Sequence, residues 1–459
     1  MTTAPAEQVL PERPTVPPAE PWTFPEPTRH RLDNGAEVVA YDIPGQYVVS
    51  VRVAIDAPLH TEPRDREGVG TVAARTMDEG TRSHSTDEMA EELERAGIAI
   101  GAGMAESGLV VDVDVAPRHL GRALELLTEF LSEPTFPEAE VARHVRARLA
   151  EIEHERAAPV SRAALEFLRT YFDPADRAAR PAAGGRETVS RITRDDVAAF
   201  HAAHVHPSRA ALVVAGDLSG LDLDGELART VGTWADDAPE PDRPEPPGRR
   251  RRRSDAARIV FVDRPGSVQT ALYVGCPGPD RRTKAGWSAY SVLGFVLGGS
   301  PNARIDAVLR EEKGFTYGIR SSFRPHHRGG LFLTTGTVRG DATAESVGLL
   351  LDILDGGREG FTEEETRAGA DYIGRTAPGR FATADAVADE AALLALDGLT
   401  TRFTTDTLAG LEDLDAQALG DAYDRYVTGE WTVVVVGDAQ QYADPVRQLG
   451  RGEVTVVPL

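Results

Sequence analysis

The chain repeats its own grammar. A strand-like GLVVDVDVAP leads into the helical HLGRALELLTEFL and then FPEAEVARHVRARLAEI, and later GLFLTTGTVRG leads into AESVGLLLDIL and FTEEETRAGADYI. Val115 stands 223 residues before Val338, and Phe136 stands 225 before Phe361. Asp217, which closes ALVVAGD, stands 221 before Asp438, which closes WTVVVVGD. Three separated landmarks at nearly one offset indicate a duplicated module. Whatever fold the first half takes, the second must take too.

Each half mixes two periods. Val49, Val51, Val53 and Ile55 alternate with other residues, the pattern of a strand in a sheet with one covered face. Leu120, Leu124, Leu127 and Leu131 recur at spacings of three and four, the apolar stripe of a helix. Strands and helices come in clusters, which predicts an α+β fold of two homologous layered modules, each a mostly antiparallel sheet covered by helices. The proline-rich residues 1–28 read as an N-terminal extension, 29–237 as the first module, 238–256 as a linker and 257–459 as the second module.

Composition removes several function classes. No run of 18 apolar residues occurs, so no membrane-spanning helix is expected. The first residues have neither an apolar core nor an early basic cluster, unlike a signal or transit peptide. Cys276 is the only cysteine, so no internal disulfide or cysteine metal cluster forms, and a cytoplasmic location is expected. Fifty basic against 73 acidic residues give a net charge of −23, a field that disfavours nucleic acid and anionic lipid. The arginine run 249–253 is either a local nucleic-acid patch or, with its proline-rich surroundings, a solvated linker.

Two segments carry the chemistry. The first is GVGTVAARTMDEGT, residues 68–81. It resembles the zinc helix of the pitrilysin and mitochondrial-processing-peptidase family, whose pattern is close to G-x-x-H-F-x-E-H-x-x-x-x-G-T. There an inverted H-x-x-E-H supplies two histidine ligands and a glutamate base, with a third glutamate ligand further along. On that pattern Thr71 and Arg75 take the histidine positions, Ala74 the base position and Glu151 the third-ligand position. Thr71 is a poor zinc ligand, Ala74 has no base, and Arg75 is permanently charged. Its charge about 4 Å from a divalent cation would cost roughly 8 kcal/mol at an effective dielectric of about 20. No metal is therefore expected in this chain. Arg75 and Glu151 either pair where the metal would stand or are unrelated surface charges.

The second segment is LGGSPNARIDAVLREEKGFTYGIRSSF. Ser300 and Pro301 predict a capped helix start, Ile305, Val308 and Leu309 a buried stripe, Gly314 a stop, and Phe315, Tyr317 and Ile319 a strand. Taken alone, Arg310 would complement a helix C-terminus and Tyr317 would pack in the sheet. The segment closely resembles the same family's second-half signature, a glycine turn followed by R-E-x-x-G-x-x-Y. That resemblance implies that Arg310 and Tyr317 are substrate-binding, reaching across a clamshell to hold peptide carbonyls at a zinc site on the facing half. The turn Gly298-Gly299 is either a close approach for peptide or a plain loop. His201, His204 and His206 are expected to be structural, and His326 and His327 solvated.

A lost metal motif beside a kept Arg/Tyr pair resembles the family's non-catalytic subunits. The resemblance implies a homologous zinc-bearing peptidase subunit as partner, zinc in that partner chain, and a peptide substrate. Its rivals are a structural core-type subunit and a peptide-binding homodimer.

Overall fold

The computed structural model describes residues 17, 19–235, 258–284, 286–325 and 329–459. The 238–256 linker with its arginine run, His326 and His327, and most of residues 1–18 lie outside them. Among the described residues there are two six-stranded sheets. The first contains β1 (Thr28–Arg31), β2 (Glu37–Asp42), β3 (Val49–Ile55), β4 (Ala99–Ala105), β5 (Gly108–Val115) and β6 (Ala210–Gly216), in the order β1-β2-β6-β3-β5-β4. The second contains β7 (Arg258–Asp263), β8 (Gln269–Gly278), β9 (Ile319–Arg324), β10 (Gly330–Arg339), β11 (Thr432–Gly437) and β12 (Glu453–Pro458), in the order β12-β7-β11-β8-β10-β9.

The duplication is visible strand by strand. The run β2-β6-β3-β5-β4 is repeated as β7-β11-β8-β10-β9, with one parallel pair, β2 with β6 and β7 with β11, in the same place. Only the sixth strand differs. It comes from the N-terminal side and runs antiparallel to β2 in one sheet, and from the C-terminal end and runs parallel to β7 in the other. The landmark aspartates do equivalent work: Asp217 accepts the N–H of Gly45 at 2.9 Å, and Asp438 that of Gly266 at 2.9 Å. Each closing strand thus grips the Pro-Gly turn that joins the two strands it lies between, β2 to β3 in one module and β7 to β8 in the other.

Each sheet packs one face on its own helices. Leu124, Leu127 and Leu131 of α3 (Leu120–Ser132) are buried on Val51, Val53 and their neighbours, and a matching core forms in the second module. The opposite face is where the sequence reading fails. Alternation predicted that Ser50, Arg52 and Ala54 face solvent, yet every residue of β3 is buried. The helix Ala384–Leu396 of the second module lies across that face. Reciprocally, α5 (Pro159–Tyr171) of the first module lies on β8 and β11 of the second.

The two crossings build two shared cores. Val387, Ala388 and Ala391 meet Val39, Tyr41 and Val213, and Phe167 and Tyr171 meet Val260, Leu333 and Val434. Complete burial of a single Val or Phe contributes about 1.5–3 kcal/mol, so the junction is a second core rather than a loose contact. Arg52, only 4% exposed, is buried in this junction and is satisfied by Asp114 at 3.1 Å and by Asp389 of the crossing helix at 2.6 Å. Polar type predicted exposure; ion pairing across the junction permits burial instead.

The N-terminal extension adds to the same core. Trp22 stacks on Phe381 with ring centroids 5.7 Å apart, and Phe24, 2% exposed, meets Phe381 and Tyr41 edge-on. Among its described residues, these two aromatics fasten the chain over the junction. Phe24→Ala should therefore cost about 3–5 kcal/mol and lower the urea midpoint of the whole chain; an unchanged midpoint would show that the strap carries no load.

Candidate functional site

The helix that resembles the zinc helix is α1 (Val69–Thr76). Its start is fixed by a buried carboxylate outside the helix. Glu62 accepts the N–H groups of Gly68 at 3.1 Å and Gly70 at 3.0 Å, and Arg177 donates to it at 2.9 Å. Burial pushes the Glu62 carboxyl above its ordinary range despite Arg177 and these two donors. Gly68 has φ +99°, and a Cβ there would stand 2.7 Å from the carbonyl oxygen of Ala183, so the entry requires glycine.

Along α1 the replaced positions share one face. Thr71 and Arg75 are half-buried, and Ala74 is 3% exposed. Glu151, on α4 (Glu138–Ala157), stands opposite: Arg75 Nη1 donates to Glu151 Oε1 at 2.8 Å. The other oxygen, Oε2, accepts from Arg148 Nη1 at 3.1 Å. Burial opposes ionisation of Glu151, but the hydrogen bonds and charges of Arg75 and Arg148 outweigh it and hold the carboxyl below its ordinary range. Where the resemblance would place a cation, the Arg75 guanidinium lies on Glu151. The residues present do not fit zinc: one carboxylate, already shared by two arginines, leaves no ligand set. Among the described residues no three His, Cys, Asp or Glu side chains converge on a point that could hold a metal ion.

The histidines after α5 have structural partners. His201 Nε2 donates to Leu131 O at 2.9 Å and its ring meets Phe136 edge-on; His206 Nε2 donates to Ala202 O at 2.8 Å. His204 Nε2 lies 3.3 Å from Thr61 Oγ1. Burial pushes His201 and His204 down to about 4.

The segment carrying Arg310 and Tyr317 departs from its sequence reading at both ends. Ser300 and Pro301 do not start the helix; they form a turn closed by Ala303 N–H on Ser300 O at 3.1 Å, and the helix begins at Arg304. Arg304 explains the shift. Its guanidinium is bidentate to Glu365, at 2.6 and 2.7 Å, donates to Gly360 O at 3.1 Å and lies over the Phe361 ring. The last turns are wide, with Lys313 N–H donating to Val308 O at 3.0 Å; turns of this kind concentrate at functional sites. Nor does Tyr317 pack in a strand, since β9 starts at Ile319. Tyr317 is 94% exposed, and Arg310, partly exposed, pairs among the described residues with its neighbour Glu311, at 3.3 Å.

The structure thus brings Arg75 and Glu151 together, and among the described residues no hydrogen bond or ion pair joins either of them to Arg310 or Tyr317. Sequence reasoning missed Arg148, the second guanidinium on Glu151. It also missed Asp306, Thr316 and Arg320, which fix the turn beneath Tyr317. Asp306 had a usable signal: it adjoins Ile305 in the buried stripe, where an acid needs a partner.

Two outcomes follow. Restoring the motif with Thr71→His, Ala74→Glu and Arg75→His together, on a frame that already places Glu151, should give about one zinc per chain by elemental analysis after dialysis. A zinc-free triple variant, or stoichiometric zinc in the wild type, would overturn the assignment of these positions. The second concerns pH. Between about 6.5, where an unfolded histidine titrates, and about 4, where His201 and His204 titrate in the fold, the unfolded chain binds more protons. Stability should therefore fall as pH drops through that window. His204→Gln should shrink the drop in urea midpoint between pH 7 and pH 5, and an identical drop in the variant would refute this source.

Comparison with known proteins agrees with the fold and the spacing. The family described as Insulinase (Peptidase family M16) matches residues 37–178, and that described as Peptidase M16 inactive domain matches residues 191–370. An uncharacterized zinc protease of Mycobacterium tuberculosis is 25% identical over 352 residues, 76% of this chain and 78% of that protein. The bovine mitochondrial-processing peptidase subunit beta is 25% identical over 192 residues, 42% of this chain and 39% of that protein. A crystal structure described as a peptidase M16 inactive domain from Pseudomonas fluorescens superposes with a TM-score of 0.81 at 21% identity, covering 95% of this chain and all of that one. With both halves matched to one family and the two-module fold shared along nearly the whole length, the chain belongs to peptidase family M16, the pitrilysin and mitochondrial-processing-peptidase family.

Proposed function

We propose that this chain is a non-catalytic, substrate-binding subunit of a two-chain zinc peptidase. A separate, homologous chain brings the zinc, the activated water and the general base. This chain brings Arg310 and Tyr317, which hold the backbone of a peptide or leader segment at the composite site. The observation that carries the reading is the contrast between the two motifs: Arg75 lies on Glu151 in the metal position, while Tyr317 is held almost wholly exposed.

The residue types suit the role. A guanidinium offers charged donors that keep their protons, and a phenol offers one directed hydroxyl. Donors aimed at a carbonyl that gains negative charge during attack stabilise the transition state as well as the bound peptide. A purely structural subunit has no use for an exposed tyrosine on a braced turn, and a peptide-binding homodimer would carry no metal at all. No helix among the described residues is long and apolar enough to cross a membrane, and the lone buried Cys276 is compatible with the proposed cytoplasmic site of action.

The test is a purified two-chain preparation with a zinc-bearing homologue. Zinc should co-purify with the homologue only, and peptide cleavage should need both chains. Tyr317→Phe and Arg310→Ala should each lower kcat by roughly 10²-fold, the cost of removing one transition-state donor, without loss of assembly. Undiminished turnover in both variants would reject the donor role, and cleavage by this chain alone would reject the division of labour.

A further inference from the structure

We propose that Asp306 and Thr316 are positioning residues that fix the separation and aim of the Arg310 and Tyr317 side chains, an inference that rests on the reading of those two as substrate donors. Asp306 is on the same helical segment as Arg310, one turn earlier, and its side chain is wholly buried. Oδ1 accepts the N–H of Ile319 at 2.9 Å, and Oδ2 accepts from Arg320 Nη1 at 2.6 Å. Ile319 follows Tyr317 by two residues. One carboxylate therefore ties the segment that carries Arg310 to the strand start that follows Tyr317.

Packing alone would hold the helix against the sheet. Apolar contact is non-directional, whereas hydrogen bonds fix distance and angle. A buried carboxylate carries a desolvation penalty that a leucine would avoid. Asp306 offsets that penalty by occupying both oxygens, and what the junction gains is register.

Thr316 does the same on the other side. Its Oγ1 donates to Thr337 O on β10 at 2.7 Å and accepts the Gly318 N–H at 3.0 Å. Phe315 is held at both backbone groups: its N–H donates to Leu309 O, and its carbonyl accepts from Arg339 N–H, each at 2.9 Å. Gly314 N–H donates to the carbonyl of Arg310 itself at 3.1 Å. Gly314 and Gly318, with φ of +63° and +155°, allow the chain to reverse on either side. The turn 314–318 is thus anchored around Tyr317, whose side chain projects almost wholly exposed, with no hydrogen bond among the described residues. A donor held in place before substrate arrives loses little freedom on binding.

The test uses the full chain assembled with a zinc-bearing homologue and a quenched fluorogenic peptide, arranged as a double-mutant cycle. Thr316→Val, which removes the hydroxyl and keeps the shape, should lower kcat/KM about tenfold, and Thr316→Ser should restore it. Added to Tyr317→Phe, Thr316→Val should cost nothing further. Asp306→Asn should show the same dependence on Tyr317, and the Thr316 arm decides even if that variant fails to fold. Equal losses in the two backgrounds would make Thr316 merely structural and overturn the proposal, as would full activity of Thr316→Val beside an impaired Tyr317→Phe. Full activity of Tyr317→Phe itself would instead remove the donor reading, and the positioning role would fall with it.

Discussion

Neither sheet of this protein is finished by its own module. One face of each is covered by local helices, and the other by a helix that crosses from the opposite module, α5 in one direction and Ala384–Leu396 in the other. An isolated module would expose Val39, Tyr41 and Val213, or Val260, Leu333 and Val434, as a broad apolar face. Exposed faces of that kind associate or aggregate. The crossing therefore couples the two cores energetically, and Arg52 with Asp389 fixes the angle of one crossing by a directed charge pair.

Much of the architecture was legible because duplication constrains sequence strongly. The offsets of Val115, Phe136 and Asp217 to their counterparts correspond to matched strand ends, matched helix entries and matched turn-gripping aspartates. What stayed illegible was contact across the repeat. Ser50 and Arg52 sit at alternate positions of β3 and look solvent-facing, since polarity normally reports exposure; their partners lie on a neighbouring strand and on a distant helix. A hint existed in ADAVADEAALLAL, whose alanine-rich composition suits a helix buried closely between layers. At the candidate site, residue types were legible and local geometry was not. Ser-Pro is a good helix start in isolation, yet the Arg304–Glu365 pair moves the start downstream.

Around α1 the frame is set by residues other than Thr71, Ala74 and Arg75. Glu62, Gly68 and Arg177 fix the helix entry, and α4 places Glu151 against the helix face that carries Arg75. With Arg75 on one oxygen and Arg148 on the other, Glu151 is neutralised by fixed cations. Both pair members are substantially solvated, so the pair adds little stability. Its consequence is exclusion: a mobile divalent ion would have to displace a tethered charge that cannot deprotonate.

Rigidity links these features. A hydrogen-bond donor contributes to a transition state only if it is already aimed where charge develops, because reorganisation during the reaction cancels much of its value. A donor supplied by one chain to chemistry housed in another adds a second requirement, since error in the chain's own frame adds to error at the interface. Two crossed helices remove slack between the modules, and the braced turn removes slack beneath Tyr317. On the proposed reading the adjustable element is the contact between the two chains, where peptide must enter and leave. The chain itself then serves as a stiff bracket, which accounts for a buried aspartate and a hooked threonine under an almost wholly exposed tyrosine.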